Sequence, residues 1–112
     1  MNDRLIDKTV QSFKARALQE IPNNISQIYL FGSCAKGTYG DDSDIDVFVV
    51  IDGYDANYRE YRDKLLTISD DLSISNHVVL SVVMSDKSDW EKNKDFLLLY
   101  KNILREGKCY HG

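Results

Sequence analysis

The sequence lacks the features of membrane-spanning, secreted and disulfide-rich proteins. No apolar run approaches the length of a membrane-spanning helix, and the charged N-terminal segment has no apolar core of a secretory signal. The only two cysteines, Cys34 and Cys109, lie far apart in the chain, which is typical of free thiols rather than of a disulfide framework. These absences predict a cytoplasmic protein without membrane contact.

Basic charge is scarce as well. The 14 Lys and Arg are outnumbered by 18 Asp and Glu, which gives a net charge of −4. Because nucleic-acid binders present a basic face to phosphate, we expect no direct DNA binding. The charge is also uneven, since residues 40–55 contain six Asp and no Lys or Arg, whereas 92–108 is basic. That basic segment is interpreted as a solvated helix face or, alternatively, as a contact surface for an acidic partner.

Length and apolar spacing predict one α/β (α+β) domain over residues 1–112, with helices packed on a small mixed sheet. A first helix runs from a cap at Asn2 or Asp3 to Pro22, and a long one covers about 56–72. Strands are predicted at 26–31, 44–51 and 77–84, with a short edge strand at 109–110. Short helices are predicted at 34–38 and within 85–93, where Ser88-Asp89-Trp90-Glu91 is similar to a capping box. A last helix contains Phe96, Tyr100 and Ile103 and ends at Gly107.

The connection between the first two strands carries the chemistry. A Gly32-Ser33 pair leaves the first strand, and Asp44 and Asp46 begin the second. Since side chains alternate along a strand, the two carboxylates point the same way, about 7 Å apart, and suit Mg²⁺. Gly32 lets the backbone approach a ligand, Ser33 offers a hydroxyl, and Lys36 is a candidate phosphate contact. The segment therefore predicts a site for a nucleoside triphosphate and its magnesium.

Other interpretations of this loop are weaker. Its glycine spacing is that of a P-loop, but Thr38 stands where that motif needs Lys. An EF-hand starting at Asp42 fails at Val47 and at Gly53, where Gly and Glu are required. An Asp-rich turn is often only a solvated loop, and it is the conjunction with Gly-Ser that favours a site.

Gly32-Ser33, ten intervening residues and Asp44-Ile45-Asp46 together resemble the signature of the minimal nucleotidyltransferases, small members of the DNA-polymerase-β-like superfamily. The resemblance implies the nucleotidyltransferase fold and transfer of a nucleoside monophosphate, AMP from ATP, to a hydroxyl. It implies that Asp44 and Asp46 bind two Mg²⁺ ions and that Gly32 and Ser33 hold the β- and γ-phosphates. Small members are often antitoxins of HEPN ribonuclease toxins, and some adenylylate a toxin tyrosine.

The chain departs from that family at two positions. Cys34 stands where many relatives have Arg, with Lys36 as a partial substitute. By register from Trp90, Ser81 occupies the place of a third carboxylate, and Asp86 or Glu91 are weak replacements.

These departures keep two alternatives open. One is a weak or inactive antitoxin that neutralises its partner by occlusion, and the other is a free-standing nucleotide sensor. The remaining aromatic residues are also weighed: Trp90 and the tyrosines are expected in the core and at its rim, except Tyr39, which lies in the loop and is expected to reach the substrate. Cys34, in the same loop, is expected to have a packing role.

Overall fold

The protein folds around one four-stranded mixed sheet. In the computed structural model, which describes residues 1–112 and every side chain except that of Tyr54, the strand order is β3-β2-β1-β4. Strand β1 pairs antiparallel with both β2 and β4, and β2 pairs parallel with β3. The strands are β1 (Ile25–Phe31), β2 (Ile45–Ile51), β3 (Leu80–Asp86) and β4 (Lys108–His111). This arrangement confirms the predicted fold class.

Five helices cover the two faces of the sheet. They are α1 (Asp3–Glu20), α2 (Ser33–Lys36), α3 (Tyr54–Asn76), α4 (Lys87–Asn93) and α5 (Leu98–Glu106). The Asn2 side chain accepts a hydrogen bond from the Leu5 amide and caps α1, as predicted. No helix within the described part of the chain is long and apolar enough to cross a membrane.

The central strand β2 is buried on both faces and divides the core in two. Val47, Val49 and Ile51 pack with α1 and α3, whereas Phe48 and Val50 pack with α4 and α5. Because side chains alternate, Asp46 lies on the same side of the sheet as Phe48 and Val50. The pattern therefore places the acidic end of β2 on the face that α4 and α5 cover.

An aromatic cluster fixes α5 on this second face. The Trp90 ring centroid lies 5.2 Å from that of Phe48 and 5.0 Å from that of Tyr100. The Tyr100 hydroxyl donates to Asp89 at 2.6 Å and lies 2.8 Å from the Ser85 hydroxyl. Buried polar groups that are hydrogen-bonded in this way specify one packing arrangement. Trp90 and Tyr100 thus have the core role expected for the aromatic residues.

The end of α3 and the start of β3 differ from prediction. Residues 73–76, predicted as a loop, belong to α3, and β3 begins three residues later than expected. The Ser69 hydroxyl donates to the Leu80 carbonyl, and the Ser73 hydroxyl accepts from the Leu80 amide. These tertiary hydrogen bonds override the preference of serine for turns. His77, in the left-handed conformation, ends the helix.

Two predictions near the C-terminus are also corrected. Phe96 was expected in the last helix, but it precedes α5 and its side chain is exposed. The cap of α4 is Asp86, whose side chain accepts from the Asp89 amide, rather than a residue of the 88–91 segment. A capping side chain is recognised by its backbone partner, which the sequence does not show.

Candidate active site

Three strand ends meet at one edge of the sheet. Phe31 at the end of β1 pairs with Asp46 near the start of β2, and Asp46 pairs with Ser81 near the start of β3. Gly32 and Ser33 directly follow Phe31, and Asp44 directly precedes β2. The register therefore brings the glycine-serine corner, the two aspartates and Ser81 to the same edge, as the sequence predicted.

The closest approach in this group joins Gly32 and Asp46. A β-carbon built on Gly32 would lie 2.7 Å from Oδ2 of Asp46, which is closer than real β-carbons come to other atoms. The Gly32 backbone has φ 75° and ψ −158°, a region open essentially to glycine alone. Gly32 is thus required both for the turn out of β1 and for the space that the carboxylate fills.

A single helical turn carries the chain away from this corner. The amides of Ala35 and Lys36 donate to the Gly32 carbonyl at 3.1 and 3.2 Å. Gly37, with φ 78°, ends the turn in the left-handed conformation. This corresponds to the short helix predicted for 34–38.

Cys34 connects the helical turn to Asp44, the residue before β2. Its side chain is buried in the core, and Sγ donates to the Asp44 carbonyl at 3.3 Å. Burial first, and then the nearby Asp46 charge, raise the pKa of the Cys34 thiol. A buried thiol held in its protonated form is a packing group rather than a nucleophile. The expected packing role is confirmed, and position 34 faces the core rather than the solvent.

The two aspartates differ in exposure. Asp44 is exposed, whereas Asp46 is partly buried, and burial followed by the Asp44 charge raises the pKa of Asp46. An anion that is both desolvated and close to a like charge is stabilised by a cation. Carboxylate oxygens are also the ligands that Mg²⁺ prefers. The donor set therefore fits a divalent metal held by Asp44 and Asp46.

Ser81 contributes a hydroxyl where a third carboxylate was sought. As the parallel neighbour of Asp46, it is partly buried at the same edge. Within the described residues, no group of three or more His, Cys, Asp or Glu is placed to hold a metal. The replacements considered from sequence lie elsewhere. Asp86 ends β3, roughly 17 Å along the strand from Ser81. Glu91 belongs to α4, which begins directly after Asp86 at that far end.

The model of the nucleotidyltransferase domain family matches residues 8–107, nearly the whole chain. The chain belongs to this family. A Methanocaldococcus jannaschii protein with the provisional name of protein adenylyltransferase is 26% identical over 105 residues, covering 94% of this chain and 97% of that protein. The prediction of a nucleotidyltransferase is thereby confirmed.

Solved structures agree on the fold of this nucleotidyltransferase domain. A mutant of the MntA–HpeT toxin–antitoxin pair superposes with a TM-score of 0.56 at 20% identity, over all of this chain and 74% of that one. A toxin–antitoxin structure with AMP-PNP gives 0.54 at 22%, with the same coverage. A provisionally named nucleotidyltransferase from Sulfolobus solfataricus gives 0.51 at 21%, over 98% and 87% of the two chains.

Lys36 of the nucleotidyltransferase domain points towards α5. Its Nζ lies 3.6 Å from Oε2 of Glu106, and both side chains are well exposed. The pair lies at a cleft of about 120 Å³ that also includes Gly32, Leu99 and Asn102. An exposed ion pair of this kind is weak, so the flexible lysine is free to exchange Glu106 for another anion.

Tyr39 contacts α1. Its hydroxyl donates to Asp3 at 2.5 Å, and this hydrogen bond raises the pKa of Tyr39. It therefore fastens the loop to α1. The partner lies 36 residues away, so local pattern gives no sign of it. Contact between Tyr39 and a substrate stays a prediction.

A larger cleft, which the sequence did not reveal, lies between α3 and the loop that leads to Asp44. It measures about 560 Å³, and its walls include Asp42 and Ser43 from the loop with His77 and Val79 from the connection between α3 and β3. This volume is in the range of small-molecule sites. The acidic run of the loop can be recognised in the sequence. The residues after α3 lie beside it only because β2 and β3 pair in parallel.

Proposed function

We propose that residues 1–112 form a single domain. It is a Mg²⁺-dependent nucleotidyltransferase that transfers AMP from ATP to a hydroxyl of a partner protein. The partner is a HEPN-type toxin, and the reaction takes place in the cytoplasm. The observation that carries this proposal is the contact between the Asp46 carboxylate and the Gly32 corner, with Asp44 beside it. Family membership supports the reaction type.

The similar proteins support a protein as the acceptor and ATP as the nucleotide. The M. jannaschii relative is named for adenylyl transfer to protein, and the two toxin–antitoxin structures share the fold. One of those was determined with AMP-PNP, an analogue of ATP. These are properties of the similar proteins, and we extend them to this chain as part of the proposal.

Each residue of the edge has a role in the proposed reaction. Asp44 and Asp46 hold Mg²⁺, which when bound screens phosphate charge and polarises the reacting oxygens. Gly32 leaves room for the triphosphate against the backbone, Ser33 offers a hydroxyl to its phosphates, and Lys36 exchanges Glu106 for a phosphate oxygen. The acceptor oxygen bonds to the α-phosphorus while the bond to pyrophosphate breaks, and the hydroxyl proton leaves to solvent. The contribution of the chain is positioning and electrostatics.

A second function is favoured by Ser81. With a hydroxyl in place of a third carboxylate, the domain has two acidic ligands at this edge, which would bind metal less tightly. The alternative is therefore an antitoxin that neutralises its toxin by occlusion, without transfer. A nucleotide sensor, with ATP binding and no partner, is a third possibility.

A transfer assay separates these functions. The domain is incubated with labelled ATP, Mg²⁺ and the purified product of the adjacent reading frame, and label on that protein is measured. Asp44→Asn with Asp46→Asn should abolish transfer. Asp52→Asn with Asp55→Asn, which removes the same charge from exposed positions after the opposite end of β2, should retain it.

The same variants test neutralisation of the toxin in growing cells. If no label is transferred and the Asp44/Asp46 variant still neutralises, occlusion is correct and the proposed reaction is wrong. If ATP binds without transfer and no partner associates, the domain is a sensor. Transfer that persists in the Asp44/Asp46 variant would also contradict the proposal.

A further inference from the structure

Five exposed apolar side chains form a patch at the start of α5 and along it. Four of them follow one another along the chain, two before α5 and two at its start, and Phe96 and Leu98 are 77% and 72% exposed. The patch, which we name the α5 patch, consists of Phe96, Leu97, Leu98, Leu99 and Leu104. Contiguous exposed apolar surface of this kind marks interaction sites in proteins that otherwise bury it.

The α5 patch is continuous with the candidate active site. Leu99 lines the 120 Å³ cleft together with Gly32 and Lys36. The helix that carries the patch packs over Phe48, on the side of the sheet where Asp46 lies. A molecule seated on the patch would therefore extend towards the aspartates rather than away from them.

Charge at the edge of the patch favours an acidic occupant. A second cleft, of about 330 Å³, has Leu104 of the patch in its wall together with Lys94, Asp95, Lys101 and Arg105. Lys94 pairs with Glu91 at 3.2 Å, and Arg105 pairs with Glu106 at 3.3 Å. No ion pair joins Lys101 to another residue that the structure describes. Cations beside an apolar surface select partners with complementary acidic groups.

We propose that the α5 patch is the docking surface for the protein that receives the nucleotide, and that this protein binds through apolar side chains bordered by acidic residues. The proposal rests on the proposed function and extends it by naming the surface and the chemistry of its partner. Binding of the partner to a surface away from the reacting atoms supplies binding energy that positions the acceptor hydroxyl.

A second copy of this chain is a poor occupant of the same surface. A two-fold dimer uses the same surface on both copies. It would therefore place two copies of the same basic rim in one interface, each with a Lys101 that has no ion pair among the described residues. Like charges placed opposite each other across an interface oppose association. The charge pattern thus favours a different protein as partner.

Binding of the purified product of the adjacent reading frame tests the proposal. Leu98→Glu should weaken its binding at least about tenfold, the loss typical of an apolar interface anchor. The matched control is Ile74→Glu, the same change on a 77% exposed residue at the end of α3, which should leave affinity within about twofold. Lys101→Glu should weaken binding most at low salt, because the complementary charge is then least screened.

The outcomes for docking and for the reaction can be told apart. Asp44→Asn with Asp46→Asn should bind the partner as the unchanged chain does while transferring nothing. If binding depends on Leu98 but the unchanged chain transfers no label, the proposed function fails and the docking surface stands. If Leu98→Glu binds and transfers normally, or if the adjacent product does not bind the unchanged chain at micromolar concentration, the docking proposal is wrong.

Sedimentation of the domain alone supplies the remaining test. We expect a monomer for both the unchanged chain and Leu98→Glu. A dimer that Leu98→Glu dissociates would identify a second copy as the occupant and overturn the proposal. Unchanged melting temperatures of the exposed variants would show that loss of binding does not arise from unfolding.

Discussion

The Asp46 carboxylate occupies the space that a side chain on Gly32 would need. Oδ2 of Asp46 lies 2.7 Å from the position of a β-carbon on Gly32, and the Gly32 backbone has φ 75°. The first strand therefore ends directly against an acid of the second. The Asp46 carboxylate can take this position only because residue 32 is a glycine. This role of Gly32 is additional to the role in phosphate binding that the motif suggests.

Gly32→Ala should damage both stability and activity. The added methyl group meets Asp46 and occupies a backbone region that costs non-glycine residues about 1–3 kcal/mol. We expect the free energy of unfolding, measured in urea, to fall by that amount and nucleotide transfer to be lost. Gly40→Ala is the control, because nothing lies within 4 Å of its added carbon and its φ is ordinary. Equal effects of the two substitutions would contradict the contact.

Asp46→Asn should stabilise the metal-free fold near neutral pH. Burial and the Asp44 charge raise the pKa of Asp46, so the folded protein binds this proton more tightly than the unfolded chain does. The resulting stability is present below the ordinary pKa of aspartate, about 4, and is lost as pH rises through the folded-state pKa. Asparagine removes the cost of the buried charge.

Thermal unfolding of both proteins at several pH values measures this effect. In EDTA the variant should melt higher than the unchanged chain at pH 7, and the difference should vanish below about pH 4. Adding Mg²⁺ should raise the melting temperature of the unchanged chain more than that of the variant. A variant that is less stable at neutral pH would mean that Asp46 makes favourable interactions that outweigh its desolvation.

Alternation along β2 was predictable from the sequence because it arises locally. The β-branched run of β2 predicted two buried faces, and the two core clusters confirm them. The motif predicted that Gly32 lies near the aspartates, which needs only strand periodicity and a short connection. The position of Ser81 came instead from the resemblance to the family, by counting back from Trp90, and the parallel pairing places Ser81 beside Asp46.

Long-range side-chain contacts were not predictable. Tyr39 bonds Asp3, and Lys36 pairs with Glu106, across 36 and 70 residues of sequence. Each contact depends on how α1 and α5 pack on the sheet, which no local pattern specifies. The exposed position of Phe96 was missed for a related reason, since its spacing from Tyr100 suits a helix that begins only after it.

Ser81→Asp should strengthen metal binding and transfer. The new carboxylate would lie beside Asp46 at the edge of the sheet, which supplies a third oxygen ligand to a pair that has two. We expect tighter Mg²⁺ binding by calorimetry and faster labelling of the partner. Without metal, three neighbouring acids should lower the melting temperature. Ser81→Asn, similar in size but uncharged, is the control, and equal Mg²⁺ affinity of the two variants would contradict a metal site here.

Glu106→Gln should favour triphosphate binding by releasing Lys36. The Nζ to Oε2 distance is 3.6 Å and the pair is exposed, so its loss changes the interaction by no more than about 1 kcal/mol, or roughly fivefold in affinity. The substitution also removes an anion from the cleft beside Gly32. We expect ATP with Mg²⁺ to bind up to about fivefold tighter, with a smaller gain at high salt, and Lys36→Ala to bind more weakly. Glu60→Gln, which breaks a comparable exposed pair with Lys64 at 3.7 Å, should change nothing. If Glu106→Gln and Glu60→Gln behave alike in calorimetry, Lys36 does not contact the phosphates.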